Sequence, residues 1–318
     1  MEHLVLTDNV KTVLIIVYSF LIFTILLLKF MQKCGKNVHN YIIRFQSFLF
    51  IVLFFNITFS INKIVAFCGT MLICYLCLKE FLSLIPTRQT DRGVLLLAYW
   101  SIPAQFYFIY IQWTALFYLF VPLYMLLLLS VSMVVANNTN GFLKTIATLQ
   151  WGLMVTVYAM GYLAMFVIIP DKYNPVAGSI GLLTFILLFT VINDFIQMVF
   201  GKMIGKHKIL PKISPNKTWE GFLCGVAGST ILAAVAARYL TPLTLGQAIF
   251  AGFVLSIAGF FGDVTMSAIK RDLGVKDTSM LIPGHGGILD RLDSLIFTAP
   301  LFFHYIAYLN TIVFTKAG

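Results

Sequence analysis

Charge is what this 318-residue chain has little of: Asp, Glu, Lys and Arg together make up 11% of it. Soluble globular domains carry about a quarter charged residues, so a soluble fold is excluded. Acids are the scarcer sign, 12 against 22 bases. Five cysteines spread through such a chain imply no disulfide framework. Polar low-complexity tracts are absent, which excludes a disordered chain. So is any repeat of roughly 20–50 residues, which excludes fibres and solenoids. The apolar runs are continuous rather than alternating, which argues against a closed β-barrel. No nucleic-acid motif is present and no soluble domain could carry one, so nucleic acid is not an expected partner.

What is there is apolar: 60% of residues are hydrophobic and mean hydropathy is +0.93. A membrane-crossing helix needs about 20 mostly apolar residues. Ten such stretches can be marked, near 11–30, 42–60, 62–79, 93–111, 114–136, 144–170, 179–200, 221–240, 246–269 and 290–315. Backbone groups in lipid must be bonded internally, which helices achieve. The expected fold is therefore all-α, a polytopic integral membrane protein with about ten transmembrane helices. The first stretch has acids before it and Lys29, Lys33 and Lys36 after it. That is the wrong polarity for a cleaved secretory signal, and it reads as a retained helix. The stretch 144–170 is long and holds Gly152 and Gly161, so a tilt or a local break is expected there.

With ten spans, 17 of the 22 bases fall on one side of the membrane and 5 on the other. By the positive-inside rule the basic loops face the cytoplasm and both termini lie outside. A net charge of +10 then reflects topology and attraction to anionic membrane lipids. The expected location is the cell membrane, multi-pass, with the chemistry on the cytoplasmic side.

The acids divide the chain. Glu2, Asp8, Glu80, Asp91 and Asp171 all sit near span ends or in loops, whereas seven acids crowd into the C-terminal part. Residues 1–170 thus read as N-terminal membrane helices and 171–318 as a C-terminal catalytic region. Asp194 and Asp263 lie inside apolar runs. Acids there are costly and usually face a polar cavity or a partner.

Two loops on the same side hold the remaining polar groups. In the first, Ser214 followed by Pro215 reads as an N-cap with proline at the first helical position. A helix from Pro215 would place Lys217, Thr218 and Glu220 near a set of free backbone N–H groups, a phosphate-sized anion site. In the second, Asp263, Ser267 and Lys270 share one helical face, as do Asp290 and Asp293. Between them Pro283-Gly284-His285-Gly286-Gly287 can turn tightly against a ligand. Carboxylates without cysteine or paired histidine suit Mg²⁺ rather than zinc. Metal clamp, cations and backbone donors are the parts of phosphoryl or nucleotidyl transfer.

The run from Ser267 to Asp293 reads S-x-x-K-R, then K-D, then P-G-H-G-G-x-x-D-R-x-D. It resembles the pattern of phosphatidate cytidylyltransferases, also called CDP-diacylglycerol synthases. The block S-P-N-K-T-W-E-G at 214–221 resembles that family's second motif. The likeness is close over roughly residues 190–300; the first 170 resemble the family only as hydrophobic helices. It implies that CTP and phosphatidate react to give CDP-diacylglycerol and pyrophosphate. It also implies Mg²⁺, a second cation such as K⁺, and a homodimer. Carried over by motif, Asp263 and Asp290 are the metal ligands, with Asp293 supporting. Ser214, Lys217, Thr218 and Glu220 form the nucleotide and phosphate cradle. Lys270 and Arg271 face the phosphates. Asp277, His285, Gly286 and Gly287 shape the loop over the site. The family has Ala-Tyr where this chain has Gln197 and Met198, which leaves the lipid acceptor open.

Two other functions share these parts. A CTP-dependent lipid kinase would use the same metal and lysines but move the γ-phosphate. A secondary transporter would need midplane acids and inverted repeats, and no repeat is seen. Cys74 and Cys77, inside an apolar span, read as buried hydrophobic cysteines rather than a redox pair. His3, His39 and His304 are scattered and are not read as ligands, and His207 in its lysine-rich loop reads as solvated.

Overall fold

The computed structural model describes residues 6–35, 38–85, 92–135, 141–279 and 286–310. Among these, nine helices are long and apolar enough to cross a membrane. They are α1 (Asp8–Lys33), α2 (His39–Ser60), α3 (Lys63–Leu84), α4 (Arg92–Tyr110) and α5 (Thr114–Val135), then α6 (Phe142–Ile168), α7 (Gly178–Met203), α8 (Trp219–Leu240) and α9 (Leu245–Asp272). The chain is an all-α, multi-pass membrane protein, as its hydropathy leads one to expect. The tenth stretch is broken into α10 (Leu289–Leu292) and α11 (Leu295–Leu309). At 1.5 Å per residue α11 reaches about 22 Å, short of a hydrocarbon core of about 30 Å.

Local chemistry sets the helix boundaries. Thr7 caps α1, Asp8 lies in its first turn and Lys33 in its last, each the favourable charge for the helix dipole. The Asn62 side chain accepts the Val65 N–H at 2.7 Å and starts α3. Inside α5, Phe120–Met125 forms a π-helical segment around Pro122, which lacks the N–H an α-helix needs there. The side chains of Gln105 and Gln150 donate to the Phe117 and Val121 carbonyls beside it, at 3.0 and 2.7 Å. The irregularity expected in 144–170 is a second π segment, Met154–Tyr158, within a continuous helix.

The C-terminal half of α6 is the central pillar, with every residue from Ala159 to Val167 buried. It packs against α3, α7 and α11. Tyr162, Phe166, Phe185, Phe302 and Phe303 fill that junction. By contrast α1 turns Ile15, Phe23 and Phe30 outward, at roughly two-thirds exposure, as a lipid-facing helix would. Beside the pillar, α7, α8 and α9 lie side by side. α8 comes so near α7 that a Cβ on Gly221 would stand 2.8 Å from the Gly201 Cα.

One expected boundary is wrong. Ser214 does not cap a helix beginning at Pro215. Ser214–Thr218 is a strand, β2, paired antiparallel with β1 (Lys208–Leu210). The residue before a proline is biased toward extended backbone and proline tolerates an edge strand, so the same pattern serves either structure. The helix starts four residues later than expected, at Trp219, and Thr218 is its cap, accepting the Gly221 N–H at 3.2 Å.

Candidate active site

Asp194 on α7 and Asp263 on α9 each lie nine residues before the C-terminal end of their helix, about 14 Å along the axis. The hairpin made by β1 and β2 brings Lys217 to them. Its Nζ is 2.6 Å from Asp263 Oδ2 and 3.2 Å from Gln197 Oε1, and it sits over the Phe260 ring. Asp263 Oδ1 accepts from Ser267 Oγ at 3.3 Å, one turn along α9. Asp194 Oδ2 accepts from Ser294 Oγ at 2.8 Å, whereas Asp194 Oδ1 is buried with no hydrogen-bond partner among the described residues. Burial works to discharge Lys217, but Asp263, Asp194 and Asp293 outweigh it and hold the ammonium above the ordinary lysine range. Asp293 shares the pocket: burial, then the charges of Asp263 and Asp194, push its carboxyl well above the usual range. Three acids therefore gather around one lysine.

A second lysine–aspartate pair lies beside this one. Lys270 Nζ is 2.6 Å from Asp290 Oδ1, with side chains 11% and 3% exposed. Asp290 Oδ2 accepts the Thr278 N–H at 2.8 Å, the Thr278 hydroxyl at 2.9 Å and the Gly287 N–H at 2.9 Å. Both oxygens are engaged by the protein. Glu80, reaching over from α3, accepts from the Ser279 hydroxyl (2.8 Å) and from the N–H groups of Ile288 (3.0 Å) and Leu289 (2.9 Å), and its Oε2 lies 3.1 Å from Thr278 Oγ1, whose single proton goes to the nearer Asp290. The glycines are explained by these acids. Gly286 has φ +80°, and a Cβ there would stand 2.7 Å from Asp290 Oδ2. A Cβ on Gly287 would run into Thr278 Oγ1 and Glu80 Oε2.

The expected site residues thus separate. Lys217, Asp263 and Asp293 come together. Lys270 and Asp290 pair with each other, and Asp290 anchors the loop instead of presenting a free oxygen, because four protein donors already reach it. Of the expected cradle only Lys217 reaches the acids. Ser214 lies at the hairpin turn opposite Leu210, and Thr218 serves as the α8 cap. Glu220 turns away to the hairpin base, where it accepts the His207 ring at 2.6 Å and the Lys206 N–H at 3.1 Å. His207 is largely exposed, as expected of a solvated loop residue, and also pairs with Glu220. Arg271 is exposed and donates to the Ile213 and Val275 carbonyls at 3.3 and 3.2 Å. Asp277 is exposed near Gly286. His285 lies outside the described residues. At the Ala-Tyr departure, Gln197 is buried against Lys217, whereas Met198 is 38% exposed. Cys74 and Cys77 are buried free thiols in α3. Asp194 was visible as an intramembrane acid but not as a neighbour of Lys217. Gln197 was visible only as a departure from the family's pattern, and Ser294, Thr278 and Glu80 carry no local signal at all.

A model of the cytidylyltransferase family matches residues 42–309. The chain belongs to the cytidylyltransferase family. It is 39% identical to the uncharacterized protein YnbB of Escherichia coli K12 over 294 residues, 92% of this chain and 95% of that one. It is 46% identical to a phosphatidate cytidylyltransferase of Synechocystis over 144 residues, 44% of this chain and 49% of that one. The corresponding enzyme of Staphylococcus aureus COL is 41% identical over 131 residues, 41% of this chain and 50% of that one. The chain thus spans about half the length of these two phosphatidate cytidylyltransferases.

For a family member the donor set is informative. Among the described residues no three Asp, Glu, His or Cys side chains are arranged to enclose a metal by themselves. The buried, partnerless Asp194 Oδ1 and the Asp263 carboxylate are hard oxygen donors, without thiolate beside them. Mg²⁺ is commonly held by one or two carboxylates with substrate phosphates completing the shell, and these residues fit that mode.

Proposed function

We propose that this cytidylyltransferase makes CDP-diacylglycerol and pyrophosphate from CTP and phosphatidate, at the junction of Lys217 and Asp263. The observation that carries the reading is one buried lysine held 2.6 Å from Asp263, where the 214–221 block and α9 meet, in a chain of this family. The names of the Synechocystis and Staphylococcus relatives support phosphatidate as the acceptor.

A phosphomonoester oxygen of phosphatidate attacks the α-phosphorus of CTP in line. The bond from the α-phosphorus to the bridging oxygen breaks, and pyrophosphate leaves with the electron pair. The monoester is already ionised near neutral pH, so no protein base is required. Lys217, kept charged by its acids, offsets the charge that builds on the phosphates as the two anions are brought together. Asp194 and Asp263 would hold Mg²⁺, which would supply charge neutralisation at the phosphates and at the leaving pyrophosphate. A second cation such as K⁺ belongs to the proposal by family resemblance. Lys270 and Asp290 fix the loop beside the reacting groups, and Arg271 adds exposed positive charge over the hairpin.

The site faces the cytoplasm of the cell membrane in this reading, supported by the 17 of 22 bases that fall on its side. CTP then arrives from water while the acyl chains stay in lipid. A homodimer is part of the same proposal, to be checked by light scattering of the detergent-solubilised protein. The test of the activity is purified protein with phosphatidate, Mg²⁺ and CTP. Mass spectrometry is expected to find phosphatidate converted to a lipid heavier by one cytidine monophosphate, with pyrophosphate released one for one. A diacylglycerol or polyprenol that gains only a phosphate would make the chain a CTP-dependent lipid kinase.

A further inference from the structure

We propose that Glu80, on the N-terminal helix α3, is a positioning residue for the catalytic loop in the C-terminal half. The side chain is 7% exposed. Burying a carboxylate is unfavourable unless hydrogen bonds replace its water, and a residue needed only for packing would be apolar. Here three donors from one loop replace it, the Ser279 hydroxyl and the Ile288 and Leu289 N–H groups, with Thr278 Oγ1 beside them. Thr278 and Ser279 lie at its entry, Ile288 and Leu289 at its exit. One side chain therefore ties both ends of the segment that carries the P-G-H-G-G run.

The tie continues to the site. Thr278 Oγ1 stands 3.1 Å from Glu80 Oε2 and 2.9 Å from Asp290 Oδ2, and Asp290 in turn holds Lys270 at 2.6 Å. A line of contacts thus runs from α3 through the loop to α9. One turn past Asp290, Ser294 donates to Asp194. A displacement of the loop would shift Asp290 and Lys270 together, and Gly287 leaves no room between Thr278 and Glu80 for a looser fit.

The effect on rate rests on the proposed transferase reading; the effect on the loop does not. Glu80→Gln keeps the shape but replaces one acceptor oxygen with an NH₂ group facing donors. Relative to wild type, kcat per folded molecule is expected to fall roughly 10- to 100-fold, as for partners that orient site groups, with KM for CTP little changed. Hydrogen exchange at Ile288 and Leu289 is expected to speed up by about tenfold or more as those amides lose their acceptor. Glu80→Asp, which keeps both oxygens, should recover part of both. Ser279→Ala removes one of the three bonds and should move both readouts the same way by less. Wild-type kcat and exchange in Glu80→Gln, or a loss that only follows the amount of folded protein, would overturn the proposal. If Glu80→Gln does not fold, Ser279→Ala decides: unchanged exchange at Ile288 rules the proposal out, faster exchange upholds it. If the wild type transfers nothing from CTP, the transferase reading fails while the exchange comparison still decides the role of Glu80.

Discussion

Two lysine–aspartate pairs in this protein have the same length and opposite surroundings. Lys217–Asp263 and Lys270–Asp290 are both 2.6 Å apart. Around the first stand two more acids, one with a buried oxygen that no described residue satisfies. Around the second every carboxylate oxygen is met by a backbone or side-chain donor. Unmet polar groups in a buried place invite a ligand, whereas met ones hold the fold. In the proposed reading the difference separates a place for chemistry from a clamp, although residue type and spacing suggest the same role for both aspartates.

The widest separation should come from breaking each pair. Asp290→Ala removes the hydrogen-bonded counter-charge of buried Lys270 and leaves it only the charges of Asp263 and Asp293 nearby, a loss of up to about 3–5 kcal/mol. Thermal melting and size-exclusion profiles in detergent should show most of the protein unfolded or aggregated; an unchanged melting temperature would mean that Asp290 is no clamp. Asp263→Asn should instead stay folded, since Lys217 keeps Gln197 and the charge of Asp194 nearby. Its kcat is expected to fall by about 10²–10³, the scale for losing one electrostatic stabiliser, measured against the melting curve of the same preparation.

Smaller changes sharpen the contrast. Gly287→Ala pushes a methyl group into Thr278 and Glu80, an overpacking cost of about 1–3 kcal/mol, read as a lowered melting temperature. Thr218→Ala removes the α8 cap and should cost about 1 kcal/mol. Ser214→Ala should cost almost nothing, because Ser214 caps no helix. Equal losses in the last two would restore a helix start at Pro215.

The membrane helices were legible because lipid forces every backbone group to bond within its own segment, and that demands long apolar runs. The short tenth helix was less so: its apolar run includes Asp290 and Asp293, where the chain breaks to serve the loop. Ser214-Pro215 misled because its strand partner, Lys208–Leu210, is a short basic segment without the alternation that marks a hairpin. Lys217, Asp263 and Asp293 could be picked out by charge in an apolar context. Glu80 could not: it reads as an ordinary acid near a span end, and its partner Thr278 lies 198 residues further along the chain. The distinction between Asp263 and Asp290 is likewise invisible in residue type, since it depends on which donors the folded loop delivers.

The most direct measurement is made on the wild type, with phosphatidate, Mg²⁺ and CTP labelled separately at its α- and γ-phosphates. The account predicts α-label in the lipid and γ-label in released pyrophosphate. Label from the γ-phosphate in lipid, or no transfer of either label, would contradict it.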